Sequence, residues 1–218
     1  MSLEDDYYVQ HMSSKEGRQF IVDHHYSHGS HNGPTCFGLY ETLTTRLVGV
    51  CAFATPCSEA VRASLFGPEM KSSVTELHRL VLLDEVPHNA ESFFISRALR
   101  GLLERKPGIR AVISFADGSE GHVGTIYQAT NAIYAGTTGT ATFFRDASGR
   151  LRHPRQNGVN ISTADARERG WAPEKRAAKH RYIFLLPGGG LSRKRLLKLL
   201  RYDPQPYPKA GYEMSEVA

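Results

Sequence analysis

The sequence predicts an α/β protein, a mixed sheet flanked by helices. Three stretches carry that prediction. Ile109 to Ala116 is an apolar run with β-branched residues, the pattern of a buried strand, and it stops at the turn signal Asp117-Gly118. Thr35 to Tyr40 and Thr45 to Ala54 read as two strands of a hairpin that turns at Glu41 to Thr44. Glu91 to Glu104 sets Phe93, Ile95, Leu99, Leu102 and Leu103 on an apolar stripe, the mark of a helix packed on a core. At 218 residues the chain suffices for one sizeable domain, or a domain with an appended arm.

In chain order, Tyr7 to Gln10 is too short to assign, and Arg18 to Asp23 reads as a short strand or helical turn. His24 to Asn32, HHYSHGSHN, is a loop by its glycine and serine content. After the hairpin, Pro56 to Pro68 is a connector with a helical turn at Glu59 to Leu65. Glu76 to Leu83, ELHRLVLL, alternates and then turns apolar, as a central strand does. Asn89 or Ser92 is the expected cap of the helix that follows, and Pro107-Gly108 ends it. Beyond Asp117-Gly118, Gly121 to Asn131 reads as a helix and Ala132 to Ala135 as a short strand. Thr137 to Phe144 is expected to be strand with a bend at Gly139, and Arg145 to Asn160 a polar, basic loop or long hairpin. Thr163 to Arg169 and Pro173 to His180 read as short helices, and Arg181 to Leu186 as the final strand. Leu191 to Leu200 is a basic amphipathic helix capped by Ser192, and Tyr202 to Ala218 a loosely held tail.

Charge is segregated along the chain. Residues 1–144 carry 11 Lys/Arg and 15 Asp/Glu, whereas residues 145–201 carry 15 and 4, a net of +11. An acidic body with a strongly basic region is the footprint of a polyanion partner such as nucleic acid. No apolar run approaches the roughly 18–20 residues that span a bilayer, and the acidic start MSLEDDYYVQ lacks a secretory pattern. Cys36, Cys51 and Cys57 show no metal or disulfide spacing and read as buried small apolar residues in a reducing cytosol.

Two stretches carry chemistry. The first is the strand–turn–helix unit, which sets Asp117 at a strand's carboxyl end and Tyr127 ten residues on, across a glycine-lined turn. Ligands favour the carboxyl ends of strands in open sheets, and helix openings present free amides. The second is the histidine-dense loop, with His24, His25, His28 and His31 within nine residues. Imidazole is a common metal ligand near neutral pH.

Three motifs, HHYS at 24–27, ELHRLVL followed by ESFFIS at 76–96, and SFADGSEGHVGTIYQATNAIYAG at 114–136, resemble the signature of the Mom family of phage DNA-modification proteins, in that family's order. The resemblance implies a fold of the GNAT acyltransferase type: a mostly antiparallel, bent sheet with helices on both faces, here with a basic insertion at 145–181 before the last strand. It implies a transferase that adds a carbamoylmethyl group to the exocyclic amine of adenine, protecting phage DNA from restriction, with iron as cofactor. It points to His25, Tyr26, Ser27, Arg79, Ser92, Asp117 and Tyr127 as catalytic, to His25, Asp117 and Tyr127 as metal ligands, and to Ser92, Gly121 and Gly124 as donor-binding. VPHNAESFFIS lacks the glycines that cradle coenzyme A in such acyltransferases, so acetyl-CoA or another molecule is the donor. Arg145, Arg150, Arg152, Arg155, Lys175, Arg176, Lys179 and Arg181 are the expected phosphate contacts. The expected partners are double-stranded DNA and a small group donor, with a homodimer as an option, in the host cytosol. Two readings stand beside this one: an acetyl-CoA-dependent acyltransferase for a small amine or protein, and a non-catalytic DNA-binding module. The residues alone also leave open a metal-free chemistry, with Tyr127 as general acid and Asp117 or His25 as base.

Overall fold

The computed structural model describes residues 2–25, 33–56, 58–156 and 159–209. Its first half runs α1 (Leu3–Asp6), β1 (Tyr7–Met12), α2 (Ser14–His24), β2 (Thr35–Glu41), β3 (Leu47–Ala54), α3 (Glu59–Phe66), β4 (Val74–Leu82) and α4 (Ala90–Arg105). Then come β5 (Ala111–Asp117), α5 (Thr125–Ala129), β6 (Ile133–Thr137), β7 (Ala141–Arg145), β8 (Leu151–Arg152), β9 (Arg155–Gln156) and β10 (Val159–Asn160). The chain closes with α6 (Thr163–Glu168), β11 (Ala172–Arg176), β12 (Lys179–Leu185) and α7 (Arg193–Leu199). Seven strands form the main sheet in the order β1-β2-β3-β4-β5-β12-β6. Every neighbouring pair is antiparallel except β4 and β5. This is the mixed, mostly antiparallel sheet that the sequence predicts.

The one parallel pair positions the site. β4 and β5 are hydrogen-bonded only from Val74 opposite Ala111 to Glu76 opposite Ile113. Both strands continue, to Leu82 and Asp117, so they separate towards their carboxyl ends and open a cleft in the sheet. A β-bulge sharpens the separation. Ala52 faces Arg79 and Phe53 faces Leu77, which makes His78 the extra residue and bends β4 away from β5.

Alternation along the strands builds a core on each face. On one, Phe94, Ile95 and Leu102 of α4 and Tyr127 of α5 pack on Phe53, Val112, Tyr182 and Phe184. On the other, Leu65 and Phe66 of α3 and Leu196 of α7 pack on Ala111, Ile113, Ile183 and Leu185, while Ile21 of α2 packs on Cys36, Val50 and Ala52. The basic excursion between β6 and β12 is a small unit of its own. It holds the sheet β11-β7-β8, the ribbon β10-β9 and α6 around Phe144, Ile161, Ala166 and Trp171.

Four sequence readings need correcting. Gly121 to Asn131 is not one helix: a 3-10 turn at Gly118–Glu120 and a loop precede α5, because Gly121 (φ 71°) and Gly124 (φ 79°) take left-handed conformations that a helix interior excludes. Pro173 to His180 is not helical: Ala172 to Arg176 pairs with β7, and Lys179 opens β12, so strand pairing overrides the helical preference of Ala, Lys and Glu. Residues 202–209 are not loose. Gln205 N–H donates to the Tyr134 carbonyl at 2.9 Å, Tyr207 Oη donates to Ala132 O at 2.8 Å, and Pro208 O accepts from Gln128 Nε2 at 3.2 Å. At the other end, Tyr7–Met12 is a full edge strand and Arg18 to Asp23 belongs to the eleven-residue α2.

Candidate functional site

The separation of β4 and β5 leaves a cavity of about 600 Å³, within the range of small-molecule sites. Its walls come from β4 (Glu76 to Leu80), the end of β5 and the loop into α5 (Gly121 to Gly124). His25, at the C-terminal cap of α2, reaches it from a third element. So His25, Arg79, Asp117, Tyr127, Gly121 and Gly124 all face one space, although 92 residues separate His25 from Asp117 in sequence. Tyr26 and Ser27 lie outside the described residues.

Asp117 ends β5 because its carboxylate begins the next turn, where Oδ1 accepts from the Ser119 amide at 3.0 Å. Lys179 lies directly across the β5–β12 ladder and places Nζ 3.3 Å from Asp117 Oδ2. Arg176 Nη2 stands 3.5 Å from the same oxygen. Burial works against the charge, but the Lys179 ammonium, the Ser119 amide and the Arg176 guanidinium outweigh it and hold the carboxyl below the usual carboxylate range. Asp117 is therefore an ionised acceptor, held between two cations.

Tyr127 is set by packing. α5 starts at Gly124, where a Cβ would lie 2.4 Å from the Tyr182 ring, so only glycine lets the helix come this close to β12. Tyr127 then packs against Tyr182 at 5.2 Å and edge-on against Phe184 at 6.2 Å. Gln128 ties the same helix down, donating to Tyr182 Oη at 3.0 Å and to Val123 O at 3.3 Å. Gly124 thus serves side-chain packing as well as lining the cleft.

Several predicted residues have other employment. Ser92 is not among the cleft residues; inside the first turn of α4 its Oγ donates to Asn89 O at 2.9 Å. Arg79 lines the cleft and donates to the His78 carbonyl at 2.7 Å. Of the eight expected phosphate contacts, five are engaged within the protein. Arg145 pairs with Glu174 at 2.6 Å. Arg152 pairs with Asp146 at 2.6 Å and lies over the Trp171 ring. Arg176 spans Asp117, Glu120 and Glu174. Lys179 holds Asp117, and Arg181 donates to Ala135 O and stacks on Tyr202. Arg150, Arg155 and Lys175 are exposed, with no side-chain partner among the described residues.

Sequence reasoning passed over Glu76, His78 and Lys179 as cleft residues. Glu76 and His78 stand 3.8 Å apart at the bulge. Their signal was present: charged and polar residues in a strand otherwise patterned for burial conflict with their setting unless they serve a site. Lys179 carried no such signal, because only the β5–β12 register brings it to Asp117.

His25, Asp117 and Tyr127 share the cleft, but no group of three His, Cys, Asp or Glu side chains among the described residues is arranged to hold a metal ion. The Asp117 carboxylate already faces two cations, which disfavours a third positive charge beside it. What the cleft offers is a fixed carboxylate, an imidazole and a phenol converging on one ligand-sized space.

The methylcarbamoylase mom of Escherichia phage Mu is 33% identical over 141 residues, which is 62% of this chain and 56% of that relative's length. Among solved structures, a GNAT-family acetyltransferase from Streptococcus pneumoniae covers 83% of this chain and 100% of its own at 10% identity and a TM-score of 0.47. A spermidine/spermine N-acetyltransferase from Vibrio cholerae covers 84% and 95% at 9% identity and 0.46. The Mom protein family matches residues 6–209, almost the whole sequence, and the chain belongs to that family.

Proposed function

We propose that this protein is a DNA-modifying transferase that adds a carbamoylmethyl group to the exocyclic amine of adenine. One observation carries the reading: His25, Asp117 and Tyr127 converge on a cleft whose rim bears the basic excursion, and the family relative with 33% identity is named a methylcarbamoylase. The adenine amine is a weak nucleophile because its lone pair is delocalised into the ring. In this reading Asp117 Oδ accepts a hydrogen bond from that amine and orients it. His25 takes up the proton released as the new N–C bond forms, and Tyr127 donates to the departing part of the donor. An amine engaged in base pairing cannot enter the cleft, so the base leaves the stack at a cost of a few kcal/mol.

Coenzyme A is the less favoured donor. The opening of α4, the natural seat for a pyrophosphate, already carries Glu91 in its first turn, and that residue lines the cleft. No step of this reading runs through iron. Chelation that leaves full activity removes iron from it, and restoration of a chelated, inactive protein by iron returns the metal to it.

The test is mass spectrometry of nucleosides from host DNA of cells expressing the protein. A modified deoxyadenosine with the native protein, lost with Tyr127→Phe while the protein stays folded, supports the proposal. Unmodified DNA despite ample folded protein sinks it, and calorimetric binding of acetyl-CoA without DNA affinity would favour a small-amine acyltransferase.

A further inference from the structure

We propose that the exposed face of α7 is the surface along which double-stranded DNA lies as it approaches the cleft, an assignment that rests on the DNA-directed reading above. α7 buries Leu196 completely against the sheet and turns Arg193, Lys194, Arg195 and Lys198 to solvent, with Arg201 just beyond its end. The side chains of these five make no ion pair or hydrogen bond among the described residues. Lys194 and Lys198 stand at i and i+4 on one side of α7, with Arg195 beside them, and Arg201 follows where Leu200 leaves the helix in an extended conformation. Like charges at such spacing destabilise a helix, and no carboxylate on this helix offsets them. Glu69 lies beside Arg201 at Gly67 and Asp203 follows it, so the positive character of the face rests on Arg193, Lys194, Arg195 and Lys198.

The face is continuous with the cleft. Arg201 N–H donates to Leu65 O at 2.8 Å, and the next ring, Tyr202, lies 4.5 Å from the Arg181 guanidinium. Arg181 and Lys179 alternate along β12 and so share the face on which α7 packs. Lys179 then reaches Asp117. A line of cations therefore runs from α7 through Arg181 and Lys179 to the cleft mouth. The unpaired cations of α7, at the outer end of this line, match a polyphosphate backbone, which takes up positive charge by releasing its own counterions. Leu197 and Leu199, the exposed leucines of α7, offer too little apolar surface on two turns of helix to anchor it in a lipid interface.

The test compares the native protein with K194Q/R195Q/K198Q and with R150Q/R155Q/K175Q, by anisotropy of a labelled duplex over a range of salt. Thermal melts check that each variant folds. The helix variant should weaken DNA binding at least tenfold at low salt and flatten the salt dependence by about 2–3 in log–log slope, roughly 0.9 per lost phosphate contact. Native-like affinity and slope in the helix variant overturn the assignment. If binding vanishes only in the excursion variant, this assignment falls and the DNA reading stands. If the native protein has no DNA affinity, both fall. Binding to phosphatidylglycerol vesicles that the helix variant loses, with its DNA affinity intact, would make the face a membrane surface instead.

Discussion

The basic excursion and α7 are both rich in Arg and Lys, but their charges are deployed differently. On the excursion, Arg145 is held by Glu174, Arg152 by Asp146, and Arg176 by three carboxylates that include Asp117. There the guanidinium groups fasten a small sheet to the main body and fix the candidate site. On α7, four cations face solvent without partners among the described residues. Local charge density cannot separate the two cases. What separates them is whether the fold returns a carboxylate to each cation, and that depends on strand register. A fixed cation shapes the protein, and an unpaired one is available to a partner.

The most severe way to break this contrast is to remove the carboxylate that holds two of the paired cations. Asp117→Asn should abolish modification, by a hundredfold or more in rate, since it removes a fixed acceptor that lines the cleft. It should also free Lys179, while Arg176 stays paired with Glu120 and Glu174, so DNA affinity is retained and its salt dependence steepens by up to about 0.9 in log–log slope. Loss of affinity along with activity would mean that the carboxylate only props up the fold.

Next in size is Gly124→Ala. The new Cβ would fall 2.4 Å from Tyr182 at a φ of 79°, so α5 must shift and carry Tyr127 with it. A destabilisation of about 1–3 kcal/mol in denaturant unfolding is expected, with activity reduced and the α7-dependent part of DNA binding unchanged. A smaller pair of changes sharpens the contrast within the excursion itself. Arg152→Gln should lower the melting temperature by a few degrees and leave the salt slope alone, because Arg152 is tied to Asp146 and Trp171. Arg155→Gln should do the reverse, leaving the melt unchanged and reducing the slope by about 0.9.

The sequence made the main sheet legible where patterning was strong. The apolar run of β5, the hairpin of β2 and β3, the stripe of α4 and the Ser192 cap of α7 all appear where they were expected. It failed where local signals were overruled. Pro173 to His180 has helical composition, yet its backbone pairs with β7 and β5. Gly121 and Gly124 read as donor-binding turns, and Gly124 is also demanded by the ring of Tyr182, 58 residues away. The site shows the same division. Asp117 and Tyr127 were visible because a turn and a helix start lie between them. The Lys179 and Arg176 partners of Asp117 were not, because they arrive from the far end of an excursion whose return path no local pattern encodes.

The smallest effect concerns a titrating group beneath the site. His180 is almost fully buried beside Tyr134, whose hydroxyl lies 3.0 Å from its Nδ1. Burial pushes its imidazole below the ordinary value. The unfolded chain binds that proton near pH 6.5, and the folded protein binds it only at lower pH. Between the two values unfolding takes up a proton, so stability falls as pH is lowered through that window. His11 is pushed in the same direction by burial and Arg105, and it adds to the same slope. His180→Gln should therefore flatten, without removing, the decline in melting temperature on acidification from pH 7 to 5. It should leave the salt dependence of DNA binding unchanged, since His180 carries no charge to the surface at neutral pH. A variant with the native pH slope would show that the imidazole stays solvated enough to titrate normally, and that the packing between β12 and β6 is looser than the Tyr134 contact implies.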